Sequence, residues 1–181
     1  MSWSQTFTGR RFDPCRPDAA EICLEDIAHA LSHICRFGGH SRTFYSVSQH
    51  SVHVSHIVPP EHARWGLLHD AAEAYVGDVV RPLKGNLTNY AGIERGVMGA
   101  IAKALGLTLP MPGCVHIADE IMLATEARVL MGVEYPMSDW GLNEDGLDEN
   151  HKWYLRATWE PELAKMRFLE RHYQLSKEAA A

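Results

Sequence analysis

His69 and Asp70 are adjacent at the centre of the stretch WGLLHDAAEAYVGDVVRPLK, Trp65 to Lys84, and Glu73 follows three residues later. The segment before Gly77 has no Pro and is rich in Ala and Leu, so a helix is predicted. On a helix, Glu73 lies four residues from His69 and three from Asp70, and the three side chains share one flank. An imidazole and two carboxylates on an otherwise apolar helix are costly to bury unless something pairs with them. A divalent cation is the most effective partner, because imidazole and carboxylate both ligate borderline ions. His-Asp dipeptides are common, so the pair alone is weak evidence for a metal.

The elements that must position these residues read as helices. Residues Met1 to Pro17, with Trp3, Phe7, Gly9, Phe12 and two prolines, have the character of an extended arm or short hairpin. From about Cys23 to Arg36, apolar Leu24, Ile27, Ala28, Leu31 and Ile34 follow helical spacing, and Phe37-Gly38-Gly39 ends the pattern. A second helix is predicted over Ser46 to Val58, with His50 on its inward side. The third carries His69 and Asp70 and stops at Gly77-Asp78; Val79 to Leu87 follows as a loop with Arg81, Pro82 and Lys84. Tyr90 to Leu105 is the fourth, and Cys114 to about Leu130 the fifth, its apolar side interrupted by Asp119, Glu120 and Glu126. Gly132 to Asn150 is a long loop, and a last helix runs from Trp159 to about Lys177, with Thr158 a candidate N-cap. The expectation is an all-α single domain over residues 1–181. It comprises five to six main helices, a short extended N-terminal arm, a core over about 23–130 and a C-terminal helix over about 159–177.

Composition narrows the classes of partner. The chain has 181 residues, 46% hydrophobic and 22% charged, which suits a globular domain large enough to bury a core. A net charge of −6 argues against a general attraction to nucleic-acid polymers or anionic membranes. Cys15, Cys23, Cys35 and Cys114 form no C-x-x-C pair, no basic-then-apolar leader is visible, and no run approaches membrane-spanning length; a reducing, cytoplasmic setting is expected. Eleven histidines is a high number, and exposed helix positions such as His29, His53 and His172 account for part of it.

Inward polar positions therefore recur on three helices: His50, the His69/Asp70 pair, and Asp119. Two neutral imidazoles and two carboxylates can hold one divalent ion with positions left for water and substrate, and helical bundles build core metal sites in this way. The segments CRFGGHSRTFYSVSQHS (Cys35 to Ser51), LLHDAAEAYVGDVVRPLK (Leu67 to Lys84) and HIADEIMLATEA (His116 to Ala127) carry this order of residues. Together they resemble the HD-domain metal-dependent phosphohydrolases, and within them the branch of bacterial 5′-deoxynucleotidases and phage dATP triphosphohydrolases.

The resemblance implies an HD-type helical bundle with His50, His69, Asp70 and Asp119 as ligands of one divalent ion (Mn, Co, Mg, Zn, Fe or Ni, which the sequence does not distinguish). It implies that Glu73 orients or deprotonates the attacking water, that Asp78 contacts substrate or water, and that Arg36 and Lys84 meet phosphate. Phe37 departs from the pattern, since the bacterial deoxynucleotidases have Trp there, packed against the sugar. The implied activity is hydrolysis of a (deoxy)nucleoside 5′-monophosphate; the alternatives are a dNTP triphosphohydrolase and a degenerate nucleotide- or metal-binding protein. A small-molecule nucleotide is the expected partner, with no nucleic-acid polymer and no membrane, and a homo-oligomer of two or more copies is expected.

Overall fold

The computed structural model describes residues 2–132, 136–142, 146–147, 155 and 157–178. Among these the chain is all-α apart from one two-stranded antiparallel hairpin, β1 (Ser4–Gln5) and β2 (Arg11–Phe12). No described helix is long and apolar enough to cross a membrane. The hairpin is docked onto the bundle. Thr8 donates through its backbone N–H and its hydroxyl to Asp26 (2.6 and 2.9 Å), and Phe12 is fully buried and stacked on Tyr75.

Helix α1 (Leu24–His33) buries Ile27, Ala28 and Leu31, as its apolar spacing requires. It stops three residues short of Arg36. Ile34 is extended and Cys35 bridges Ser46 in antiparallel fashion, with Arg36 N–H donating to Tyr45 O (2.9 Å) and Val47 N–H to Ile34 O (3.1 Å). The segment between is thereby folded back, and Arg36 opens a short 3₁₀ turn, Arg36–Gly39, instead of closing α1. In that turn Phe37 has φ 57° and Gly38 φ 58°.

Helix α2 (Val47–Ile57) starts at Ser46, whose side chain accepts from Gln49 N–H, and every residue from Val47 to Ser55 is buried. Its surroundings are α1, α7 (Gly113–Glu126), α8 (Pro161–Glu178) and, closest of all, α3 (Ala63–Leu68). That last approach depends on Gly66: a Cβ there would lie 2.9 Å from Ser55 Cα and 2.9 Å from Val58 Cγ2. His53, read above as exposed, is on this buried helix at 3% exposure, against Gln49 and Trp159. His29 and His172 are half-buried.

The helix predicted up to Gly77 is not continuous. After Leu68 the backbone tightens, with Ala71 N–H donating to Leu68 O (3.1 Å) and Glu73 N–H to Asp70 O (3.0 Å), both i to i−3. It then forms α4 (Glu73–Val76), ended by Gly77 at φ 82°. A single turn, α5 (Arg81–Lys84), leads to α6 (Tyr90–Leu105), which closes on the left-handed Gly106. Helix α7 continues into a π-helical turn, Ala127–Met131. About half of the loop predicted over Gly132 to Asn150 lies outside the described residues; within it, Met137–Trp140 forms a 3₁₀ turn. Helix α8 begins at Pro161, two residues beyond the predicted Trp159, so Thr158 is not its N-cap, and it buries Ala164, Phe168 and Leu175.

Gly66→Ala tests the α2–α3 contact. Alanine gains about 1 kcal/mol of helix propensity, but backbone overpacking costs about 1–3 kcal/mol, so the net is a destabilisation of up to about 2 kcal/mol. At about 2–4 °C per kcal/mol for a chain of this size, thermal unfolding followed by circular dichroism should move down by several degrees. An unchanged or raised Tm would mean the two helices can separate freely.

Candidate metal centre

Three chain segments converge at one point. Helix α2 supplies His50, fully buried; the tightened turn after α3 supplies His69 and Asp70; α7 supplies Asp119. His50, His69 and Asp119 each put one ligand atom within 4.8 Å of the others. His50 Nε2 is 3.3 Å from His69 Nε2 and 3.1 Å from Asp119 Oδ1, and His69 Nε2 is 3.9 Å from the same oxygen. Asp70 Oδ2 adjoins this group, 3.1 Å from His69 Nε2 and 3.7 Å from His50 Nε2. Ligands bound at about 2.0–2.2 Å to one ion lie roughly 3–3.6 Å from each other at right-angle to tetrahedral geometry, and most of these separations fall in or near that range.

The tautomers agree with a ligand role. His69 Nδ1 is 2.8 Å from Gly66 O, which can only accept, so the proton sits on Nδ1 and Nε2 presents its lone pair inward. His50 Nδ1 donates to Glu126 Oε1 at 2.6 Å, which likewise turns Nε2 inward. Two imidazole nitrogens facing each other at 3.3 Å need a cation or a proton between them. Burial and the Arg36 guanidinium oppose a charge on His50, yet the Glu126 and Asp119 carboxylates prevail and raise it to about 9. Burial acts against the ionised form of Asp119 also, and His50, His69 and Arg36 together more than offset this, holding it well below the carboxylate range. Asp70, pushed up by burial and down by His69 and His50 together, is held at about 2.

Glu126, read above only as an interruption of the apolar side of α7, is fully buried and accepts three hydrogen bonds. The donors are Arg36 Nε (3.1 Å), Tyr45 Oη (2.8 Å) and His50 Nδ1 (2.6 Å). Burial alone would raise its pKa; Arg36 and His50 outweigh that and keep it ionised. It stands seven residues, two helical turns, beyond Asp119 on the same face, and that spacing was the available signal.

Arg36, only 8% exposed, joins Glu126 to the centre, its Nη1 lying 3.6 Å from Asp70 Oδ2. Its guanidinium sits 5.6 Å from the centre of the Phe37 ring, and Trp140 meets that ring edge-on at 6.4 Å. The left-handed backbone at Phe37 costs about 1–2 kcal/mol for a residue with a Cβ, and such strain clusters at functional sites. Glu73 is buried, and its Oε2 has no hydrogen-bond partner; burial, then Asp70 and Asp78, push it well above the carboxylate range. Asp78 is half-buried and raised in the same way, burial first. Among the described residues Lys84 makes no ion pair with the ligands; its ammonium is bound to Glu94 at 2.6 Å, with Glu73 and Asp70 within electrostatic reach. Arg81 instead reaches the centre, Nη2 lying 3.3 Å from Asp119 Oδ2.

No family model matches the sequence. The chain is 45% identical over 130 residues to the uncharacterized protein YfdR of Escherichia coli (strain K12), covering 72% of this chain and 73% of that one. It is 30% identical over 152 residues to the uncharacterized protein RCAP_rcc00048 of Rhodobacter capsulatus, covering 76% of this chain and 78% of that one.

Glu126→Gln keeps the shape of the side chain and removes the charge that orients His50. Outer partners of this kind are worth about 10–100-fold in metal affinity, so titration calorimetry of chelator-treated protein with Mn²⁺ should give a Kd raised by that factor. Glu126→Ala, which strands the Arg36 charge in the interior, should cost about 3–5 kcal/mol of stability. An unchanged Kd in Glu126→Gln would remove its orienting role.

Proposed function

The chain belongs to the family of YfdR and its Rhodobacter relative, and from the centre it carries we propose a metal-dependent phosphohydrolase that cleaves a nucleotide phosphate ester. The observation that carries this reading is the pair of imidazoles with Nδ1 committed to fixed acceptors and Nε2 atoms 3.3 Å apart, flanked by Asp70 and Asp119. That donor set fits one divalent ion, with His50, His69, Asp70 and Asp119 as ligands. When bound, such an ion supplies Lewis acidity, acidifying a water nucleophile and neutralising charge on a phosphoryl oxygen.

The chain's own residues would do the rest. Glu73, buried beside Asp70 and raised by it, can take a proton at Oε2 from an attacking water. Asp78, next to the same group, can hold that water in line. Arg36, fixed by Glu126, presents charge toward the phosphate from the Asp70 side. Phe37, held over Arg36, offers an aromatic face to the sugar or base. The nucleotide itself is supported by the resemblance to HD-domain phosphohydrolases, and a (deoxy)nucleoside 5′-monophosphate is the preferred substrate. Lys84, engaged by Glu94, adds little to a site for three phosphates.

A screen of dNMPs, NMPs and dNTPs with Mn²⁺, Co²⁺ or Mg²⁺, separating orthophosphate, pyrophosphate and triphosphate, tests the proposal. Metal-loaded protein that releases none of them would overturn it. His69→Ala and Asp70→Ala should each lose bound metal and all turnover.

Glu73→Gln should keep its metal and lose about 10²–10⁴-fold in kcat. The sign of the pH effect follows from the raised pKa. A base works only when ionised, so the wild-type rate should fall as pH drops through the Glu73 limb, which burial and the neighbouring carboxylates push above the ordinary 4.5 and a bound ion draws back down. That limb should be absent from Glu73→Gln.

A further inference from the structure

Among the described residues, two arginines touch the ligand carboxylates, and they are held very differently. Arg36 is 8% exposed, with Nε donating to the buried Glu126, so its guanidinium cannot turn. Arg81 has a side chain 54% exposed and meets the centre through one contact, 3.3 Å from Asp119 Oδ2. Asp119 offers its other oxygen, Oδ1, to His50 Nε2 at 3.1 Å. A guanidinium on Oδ2 and a divalent ion on Oδ1 draw on the charge of the same carboxylate and repel each other across it.

We propose that Arg81 is a releasable cation, competing with the divalent ion for Asp119 and turning to the phosphate of the substrate once the ion is bound. The phosphate is taken from the function proposed above; the competition is not. Binding free energies are reciprocal, so whatever the ion costs the Arg81–Asp119 contact, Arg81 costs the ion. An exposed contact at 3.3 Å is weak and screened, so its positional help to Asp119 is small beside its charge. Once released, a planar guanidinium with five N–H donors matches a phosphate in two-point fashion. Its position on the one-turn α5, between the exposed Val80 and Leu83, leaves it room to move. Lys84, on the same turn, has no such freedom while bound to Glu94 at 2.6 Å.

The competition predicts effects of opposite sign on metal and anion. Chelator-treated wild type, Arg81→Ala and Arg81→Lys are titrated with Mn²⁺ by calorimetry, and the Mn²⁺-loaded proteins then with inorganic phosphate. Arg81→Ala should bind Mn²⁺ two- to tenfold more tightly than wild type and bind phosphate about tenfold more weakly, while Arg81→Lys, which keeps the charge, stays near wild type for Mn²⁺. With the side chain more than half exposed, the variants should fold as wild type, which circular dichroism verifies. Mn²⁺ affinity that falls in Arg81→Ala would make Arg81 a positioning residue for Asp119, and unchanged Mn²⁺ affinity would remove the competition; either overturns the proposal. Unchanged phosphate affinity would overturn the release to substrate. If no nucleotide is hydrolysed, the phosphohydrolase reading falls while the Mn²⁺ comparison still decides the competition.

Discussion

A buried carboxylate holds the centre of this molecule together. Glu126 lies on the last turn of α7 with no exposed surface, and its two oxygens accept from Arg36, Tyr45 and His50. Through these bonds α7, α2 and the folded-back 36–45 segment share one charge. Burying a carboxylate and a guanidinium together costs several kcal/mol per ion, and their attraction does not guarantee a net gain. What the arrangement does provide is orientation. His50 can turn its Nε2 inward only because Nδ1 has a fixed acceptor, and Arg36 can face Asp70 only because Nε is anchored. Loss of Glu126 would therefore disturb two side chains of the centre and one helix contact at once.

The fully buried α2 follows from the same constraint. A helix with Ser48, Gln49, His50, Ser51 and His53 inside would be unusual if it served packing alone. Several of these polar groups are used: Ser48 donates to Ala164 O, Gln49 bonds Ala157 O and accepts from Trp159 N–H, and Ser55 takes Arg171. These contacts tie α2 to α8 and the residues just before it, and leave His50 pointing the other way, into the centre. The close approach at Gly66 has a second effect: the Gly66 carbonyl fixes His69 Nδ1, so the α2–α3 packing that brings the two histidines together also sets the tautomer of one.

Much of this was legible in the sequence where the physics is periodic. The apolar spacings of α1 and α6 and the inward position of His50 follow from 3.6-residue geometry, and the glycine stops at Gly77 and Gly106 from their freedom at positive φ. What could not be read depends on tertiary contact. Ala-rich sequence gives no warning that the backbone tightens to i to i−3 bonds at His69–Glu73. Arg36 reads as a helix end because its true partners, Glu126 and the Tyr45 carbonyl, lie away from it in the chain. Lys84 matches a pattern in sequence, but Glu94, ten residues on and across a turn, takes its charge. His53 looks like a surface residue until the helix is seen to be enclosed on all sides.

The charges at the centre explain why one carboxyl there should differ from the others. Asp70 and Asp119 each have an imidazole at about hydrogen-bond distance and are held low. Glu73 and Asp78 have no such partner and sit near Asp70, so burial and like charge raise both. A divalent ion among the ligands would reverse part of this. It would displace the proton that His50 otherwise keeps up to about 9, and it would lower Glu73 by direct attraction. Both changes release protons, so ion and proton compete, and metal affinity must fall as pH falls below about 9. The same field acts on the two arginines: it pushes against the anchored Arg36, which cannot leave Glu126, and against Arg81, which can leave Asp119. Proton release, a freed base and a freed guanidinium would then arise from one binding event, because His50 is itself one of the four proposed ligands and Glu73 and Arg81 border them.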